Sequence, residues 1–178
     1  MTDGSGSISL EIAVSLHDTA WLDGCADLEK RSRAAASAVL RHLKVEDGPL
    51  ELSLVFTDDA EQRALNRAWR NQDRPTNVLS FPNMDDGTMV AAGLPRLLGD
   101  VVLARETVAR EALEQGKTVA DHTVHLLVHG ILHLLGYDHE QADEAEEMEA
   151  LERIILAGLG IADPYAENAV TAERGAHG

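Results

Sequence analysis

The sequence predicts a single α+β domain: a small mixed β-sheet packed against about five helices, with a metal site on a core helix and the turn after it. Three observations lead there. Short stretches of alternating apolar and polar residues are interspersed with stretches carrying a helical stripe. Their order is strand, helix, strand, helix, two short strands, then three helices. The second-last helix is apolar nearly all round yet carries histidines on one face.

At 178 residues the chain is one ordinary domain, long enough to bury a core without staples. The catalytic domain is expected over 1–160, with 161–178 as a flexible tail of small, polar residues that frays from Asp163 onward. No apolar run reaches membrane-spanning length, and the N-terminus lacks the basic start and apolar core of a signal peptide. Cys25 is the only cysteine, which excludes an internal disulfide and a thiolate metal cluster. A cytoplasmic protein with no membrane partner is the expectation.

The formal net charge is −16, and residues 138–178 hold 11 acids against Arg153 and Arg174. Such acidity weighs against nonspecific nucleic-acid binding and makes DNA an unexpected partner. A site, however, answers to its local field, so a phosphate site remains open.

Ile8–Leu16 alternates, with Ile8, Leu10, Ile12, Val14 and Leu16 on one face of a half-buried strand. From about Ala26 to Leu43, Leu28, Ala35, Val39 and Leu43 give a helical stripe. Leu50–Phe56 repeats the strand pattern. Thr57-Asp58-Asp59 then offers an N-cap, with Glu61 three residues past Asp58 as its capping-box partner. The helix from about Ala60 to Asp73 carries Arg63, Arg67 and Arg70 on one face, with Leu65, Ala68 and Trp69 roughly opposite. Arg63 and Arg67 read as a solvated basic face. Arg70 leads into a turn, where its guanidinium fork suits a phosphate.

A short strand fenced by prolines follows over Pro75–Pro82, then a loop over 83–96. Leu97–Leu103 is another strand, in which Gly99 marks a bulge. Arg105 to about Gln115 is a helix ended by Gly116. The core helix runs from Val119 to Leu135, and Glu140 to about Leu156 is the last helix. On that last helix Ala145, Met148, Leu151 and Ile155 face inward and the acids mostly face water.

His129 and His133 lie one turn apart on one helix face, and Gly136 can end the helix so that the chain brings His139 towards them. Three converging imidazoles suit Zn²⁺. The spacing is that of the metzincin peptidases, H-E-x-x-H-x-x-G-x-x-H, but Gly130 occupies the position of their catalytic glutamate. Their methionine turn is also missing, since Met148 sits inside a helix as a core residue. His125, one turn before His129, is a candidate to line the site or hold a ligand from behind, whereas His122 reads as structural. With three neutral ligands a bound zinc keeps its full charge and can lower the pKa of bound water to about 7. The residues alone therefore point to a metal-dependent hydrolase with a plausible anionic substrate.

The segment His129-Gly-Ile-Leu-His-Leu-Leu-Gly-Tyr-Asp-His139 resembles the signature H-G-x-L-H-L-x-G-Y-D-H of the YbeY family of bacterial rRNA maturation factors. Leu65-Asn66 through Arg70, Asp73, Pro75-Thr76 and Val78–Pro82 resemble that family's L-N-x-x-[YW]-R-x-x-[DN]-x-P-T-D-V-L-S-F-P block. Leu98-Gly99-Asp100-Val101 resembles its L-G-D-I element, and Asn77 departs from a frequent aspartate. The resemblance implies a single-strand-specific, metal-dependent endoribonuclease that matures the 3′ end of small-subunit rRNA and serves ribosome quality control. It implies one Zn²⁺ per chain at His129, His133 and His139, with Arg70 catalytic; its partners would be single-stranded rRNA and small-subunit components. Ser80 and Asp138, inside the matched motifs, join His125 as candidates to line the site. The alternatives are a ribosome-assembly factor with mainly structural zinc and, behind it, a metzincin-like peptidase.

Overall fold

In a computed structural model the described residues are 10–45, 49–83, 96–138 and 141–165. The expected α+β architecture is the one observed, with a four-stranded mixed sheet in the order β1-β2-β4-β3. Strand β1 (Leu10–Leu16) runs parallel to β2 (Leu50–Thr57), which runs parallel to β4 (Arg96–Ala104). The short β3 (Val78–Pro82) pairs antiparallel with β4 and forms one edge. Ile8 and the loop residues 84–95 lie outside the described residues.

The alternation in β2 sets the core. Leu50, Leu52, Leu54 and Phe56 are all buried, and Trp21 meets Phe56 edge-on with ring centroids 5.3 Å apart. The indole N–H of Trp21 donates to the Thr57 carbonyl (2.9 Å), so this large side chain buries no unpaired donor. Trp21 belongs to a one-turn helix, α1 (Trp21–Gly24), that precedes α2 (Leu28–His42).

Helix α3 (Asp59–Arg70) starts where Asp58 accepts the backbone N–H of Glu61 (2.8 Å). The expected reciprocal half of the capping box is not made. The Glu61 carboxylate instead accepts the Thr57 hydroxyl and pairs with His17. Leu65, Ala68 and Trp69 do not form the packed face: Trp69 is 74% exposed, while Gln62 and Asn66 are buried. Those two amides bind backbone, Gln62 to the Val102 carbonyl and the Thr76 N–H, Asn66 to the Arg74 carbonyl. They tie the segment after the helix to the sheet. Asn71 closes α3 in the left-handed conformation (φ 57°), which leaves Arg70 as its last residue.

The bulge expected at Gly99 is present. Between the pairs Glu51–Leu97 and Ser53–Asp100 the register slips by one residue. Gly99 has φ 146°, and a Cβ there would lie 2.3 Å from the Phe81 carbonyl oxygen. Only glycine lets β3 approach so closely.

Helices α4 (Arg105–Gln115), α5 (Val119–Leu134) and α6 (Ala142–Gly158) complete the domain. Helix α5 is central, touching β3, β4, α2, α4 and α6, and Leu127, Val128, Ile131 and Leu132 are fully buried. It ends as the glycine suggested: Gly136 takes φ 102°, its N–H donates to the His133 carbonyl, and the Tyr137 N–H donates to the Leu132 carbonyl. Met148 is a core residue of α6. The segment from Ile161 to Tyr165, part of which was expected to fray, returns to α6: Pro164 is buried and the Tyr165 hydroxyl reaches Glu152. Among the described residues no helix is long and apolar enough to cross a membrane.

Candidate active site

The C-terminal half of α5 and strand β3 enclose a cleft of about 410 Å³. Arg70, Ser80, His129, His133 and Asp138 all line it, with Thr76 and Asn77 at the same wall. Five of the predicted site residues, drawn from α3, β3, α5 and the turn after α5, therefore meet in one place. His139 lies outside the described residues. Among the described residues no group of three metal-ligating side chains is present, and the pair His129–His133 is what they contribute. A larger groove of about 670 Å³ between α2 and α6 holds none of these groups.

The helical spacing does what it predicts for the pair. The His129 and His133 rings stand 4.8 Å apart between centroids, inclined by 76°. Two imidazoles one above the other present nitrogen donors of the kind zinc takes. The donor set fits that ion.

Arg70 reaches the cleft from the end of α3. Its Nη2 donates to the Ser80 carbonyl (2.6 Å), and its guanidinium carbon lies 5.3 Å from the Phe81 ring centre. Both contacts are with β3, so the strand fixes where the fork points. The Ser80 hydroxyl donates to the Gly130 carbonyl (3.1 Å), joining β3 to α5 next to His129. Arg63 behaves as a surface arginine and pairs with Asp73 in water. Asn77 donates to Glu111, which also binds the buried His122, so His122 is held structurally.

His125 does not line the cleft. Its Nε2 bonds to Glu152 (2.8 Å), and Glu152 in turn bonds to His129 Nδ1 (2.7 Å). Sequence reasoning missed Glu152 as a buried group; it is 0% exposed although the acids of α6 were expected mostly to face water. A signal was there: Glu152 falls within the inward stripe of Met148, Leu151 and Ile155.

Burial pushes the Glu152 carboxyl up, but the hydrogen bonds from His125 and His129, the charge of His129 and the Tyr165 hydroxyl outweigh it and leave it at about 2. Burial dominates at His125 and lowers its pKa. Because the folded value of Glu152 is depressed, its contribution to stability is complete above the ordinary 4.5 and is lost as pH falls from there through about 2. In metal-free protein the urea midpoint is expected to drop across that window, and to drop less steeply in Glu152→Gln. Equal slopes would assign acid unfolding to another carboxylate.

Comparison with known proteins adds the following. A sequence profile described as Endoribonuclease YbeY matches residues 20–160. A protein named Endoribonuclease YbeY from Paramagnetospirillum magneticum is 54% identical over 162 residues, covering 90% of this chain and 99% of that one. Its namesake from Azorhizobium caulinodans is 54% identical, covering 88% and 97%. The one from Chelativorans is 50% identical, covering 93% and 100%. In architecture the chain is similar to the Thermotoga maritima protein TM1509, solved in solution, with a TM-score of 0.50 at 25% identity over 83% of this chain and 91% of the other.

Proposed function

This chain belongs to the Endoribonuclease YbeY family, and on that premise we propose that it is a zinc-dependent endoribonuclease that cuts single-stranded rRNA. One observation carries the reading: an arginine fork and a histidine pair face the same small cleft. Phosphodiesters are anionic, and a cleft of about 410 Å³ is of small-molecule size, which suits a nucleotide unit. The preference for unpaired strands is taken from the family resemblance and is part of the proposal.

His129, His133 and His139 would hold one zinc ion. Bound there, it supplies Lewis acidity toward a phosphate oxygen or a water molecule. The chain's own groups do the rest. Arg70, anchored on the Ser80 carbonyl and the Phe81 ring, presents guanidinium donors to the phosphate and offsets the charge that grows on its oxygens during cleavage. Ser80 and Asp138 border the same cleft and complete its polar wall. The formal net charge of −16 weighs against nonspecific binding of polyanions, so recognition rests on the local field of the cleft. Maturation of the 3′ end of small-subunit rRNA and ribosome quality control, in the cytoplasm, are the roles that follow, with small-subunit components as partners.

The test pairs elemental analysis with cleavage of a single-stranded rRNA 3′-end fragment by nuclease-free protein. One zinc per chain is expected, with cleavage lost on chelation and restored by added zinc. Cleavage that persists without metal would overturn the reading.

A further inference from the structure

Behind the histidine pair lies a carboxylate that does not line the cleft. Glu152 projects from α6, is wholly buried, and accepts three donors. Its Oε2 binds His129 Nδ1 (2.7 Å), while its Oε1 binds both His125 Nε2 (2.8 Å) and the Tyr165 hydroxyl (2.5 Å). An ionised carboxylate can only accept hydrogen bonds. Each histidine nitrogen facing it must therefore carry the proton.

For His129 this has a specific consequence. In the neutral imidazole a proton held on Nδ1 makes Nε2 the lone-pair nitrogen, the form in which the ring binds a metal. The opposite tautomer would set a lone pair against the carboxylate. His125 shows the same logic turned to another use: its Nε2 donates to Glu152, and its Nδ1 is buried without a hydrogen-bond partner. His125 is thus spent on holding the carboxylate.

We infer that Glu152 is a positioning residue that sets the tautomer and orientation of His129, and that Tyr165 and His125 lock Glu152 in place by occupying its other oxygen. Tyr165 is itself held, edge-on to the His125 ring (5.7 Å between centroids, 86°) and beneath the Arg153 guanidinium (5.3 Å). The segment after α6 therefore reaches a candidate metal ligand through a single carboxylate, and docking of that segment tunes the site. This inference deepens the reading of His129 as a zinc ligand and rests on it for the affinity measured below.

The experiment reads His129 without RNA. Nitrogen-15 NMR of the metal-free protein reports the histidine tautomers, and competition with a chromophoric chelator gives the zinc affinity, for wild type, Glu152→Gln and Tyr165→Phe. Wild type is expected to hold His129 protonated on Nδ1. Glu152→Gln should mix the tautomers and weaken zinc binding by about 10- to 100-fold. Tyr165→Phe, which keeps the ring and the fold, should weaken it by less than about tenfold. A folded Glu152→Gln protein with the wild-type tautomer and wild-type zinc affinity overturns the inference, even if it melts earlier. So does a Tyr165→Phe protein that binds zinc as wild type does, for the locking role. Wild type with the expected tautomer but no zinc affinity would count against the zinc reading and leave the orientation by Glu152 standing.

Discussion

Arg70→Ala is expected to lower cleavage of single-stranded RNA by about 10²- to 10³-fold, the usual cost of removing one preorganised donor to a developing oxyanion. Zinc content and folding should stay as in wild type. The geometry separates the two roles. Arg70 is an exposed residue at the last position of α3, and its polar contact is with one carbonyl of an edge strand. Losing that bond costs stability on the order of 1 kcal/mol. The helix keeps its Asp58 cap and its buried Gln62 and Asn66 anchors. Arg70→Lys retains the charge but not the fork or its contact with Phe81, so it should fall between alanine and wild type. His133→Ala is the contrasting control, losing zinc and cleavage together. Single-turnover cleavage and metal content, measured on the same samples, decide the matter. An Arg70→Ala enzyme that cleaves normally, or that has lost its metal or fold, removes the catalytic role.

Most of the framework was legible because it depends on neighbours in the chain. The alternation in β2, the Asp58 cap, the stop at Gly136 and the one-turn spacing of His129 and His133 are all local signals. Gly99 was readable as a bulge, though the Phe81 carbonyl that forbids a side chain there was not, since it belongs to another strand. Nor was the insertion of β4 between β2 and β3. Glu152 escaped for a clearer reason. An acid is assigned to water by default because an unpaired buried charge is costly, and its burial is tolerable only through donors 23 and 27 residues earlier and one 13 later. The same holds for Gln62 and Asn66, whose backbone partners make a polar face of α3 the packed one.

Gly130→Glu, which writes the missing peptidase carboxylate into the motif, is expected to destroy the site and gain no peptidase activity. A Cβ at position 130 would lie 2.8 Å from Val101 Cγ1 and 3.0 Å from Ser80 Oγ. Val101 is fully buried in β4 and stiff at χ1, so it has little freedom to move aside. The helix would have to lift from the sheet, carrying His129 and His133 away from Arg70. Gly130→Ala isolates this steric part: overpacking costs about 1–3 kcal/mol, against a helix-propensity gain of about 1 kcal/mol. A modest net loss is expected, together with weaker zinc binding. Glutamate adds the burial of a carboxylate against Val101, a further loss of several kcal/mol that makes the variant unfolded or aggregated. Thermal melts, zinc titration and hydrolysis of a denatured protein substrate test this. A Gly130→Glu protein that melts like wild type would mean that α5 sits less tightly on β3 and β4 than these contacts require, and the choice of glycine would then need a chemical explanation in place of a steric one.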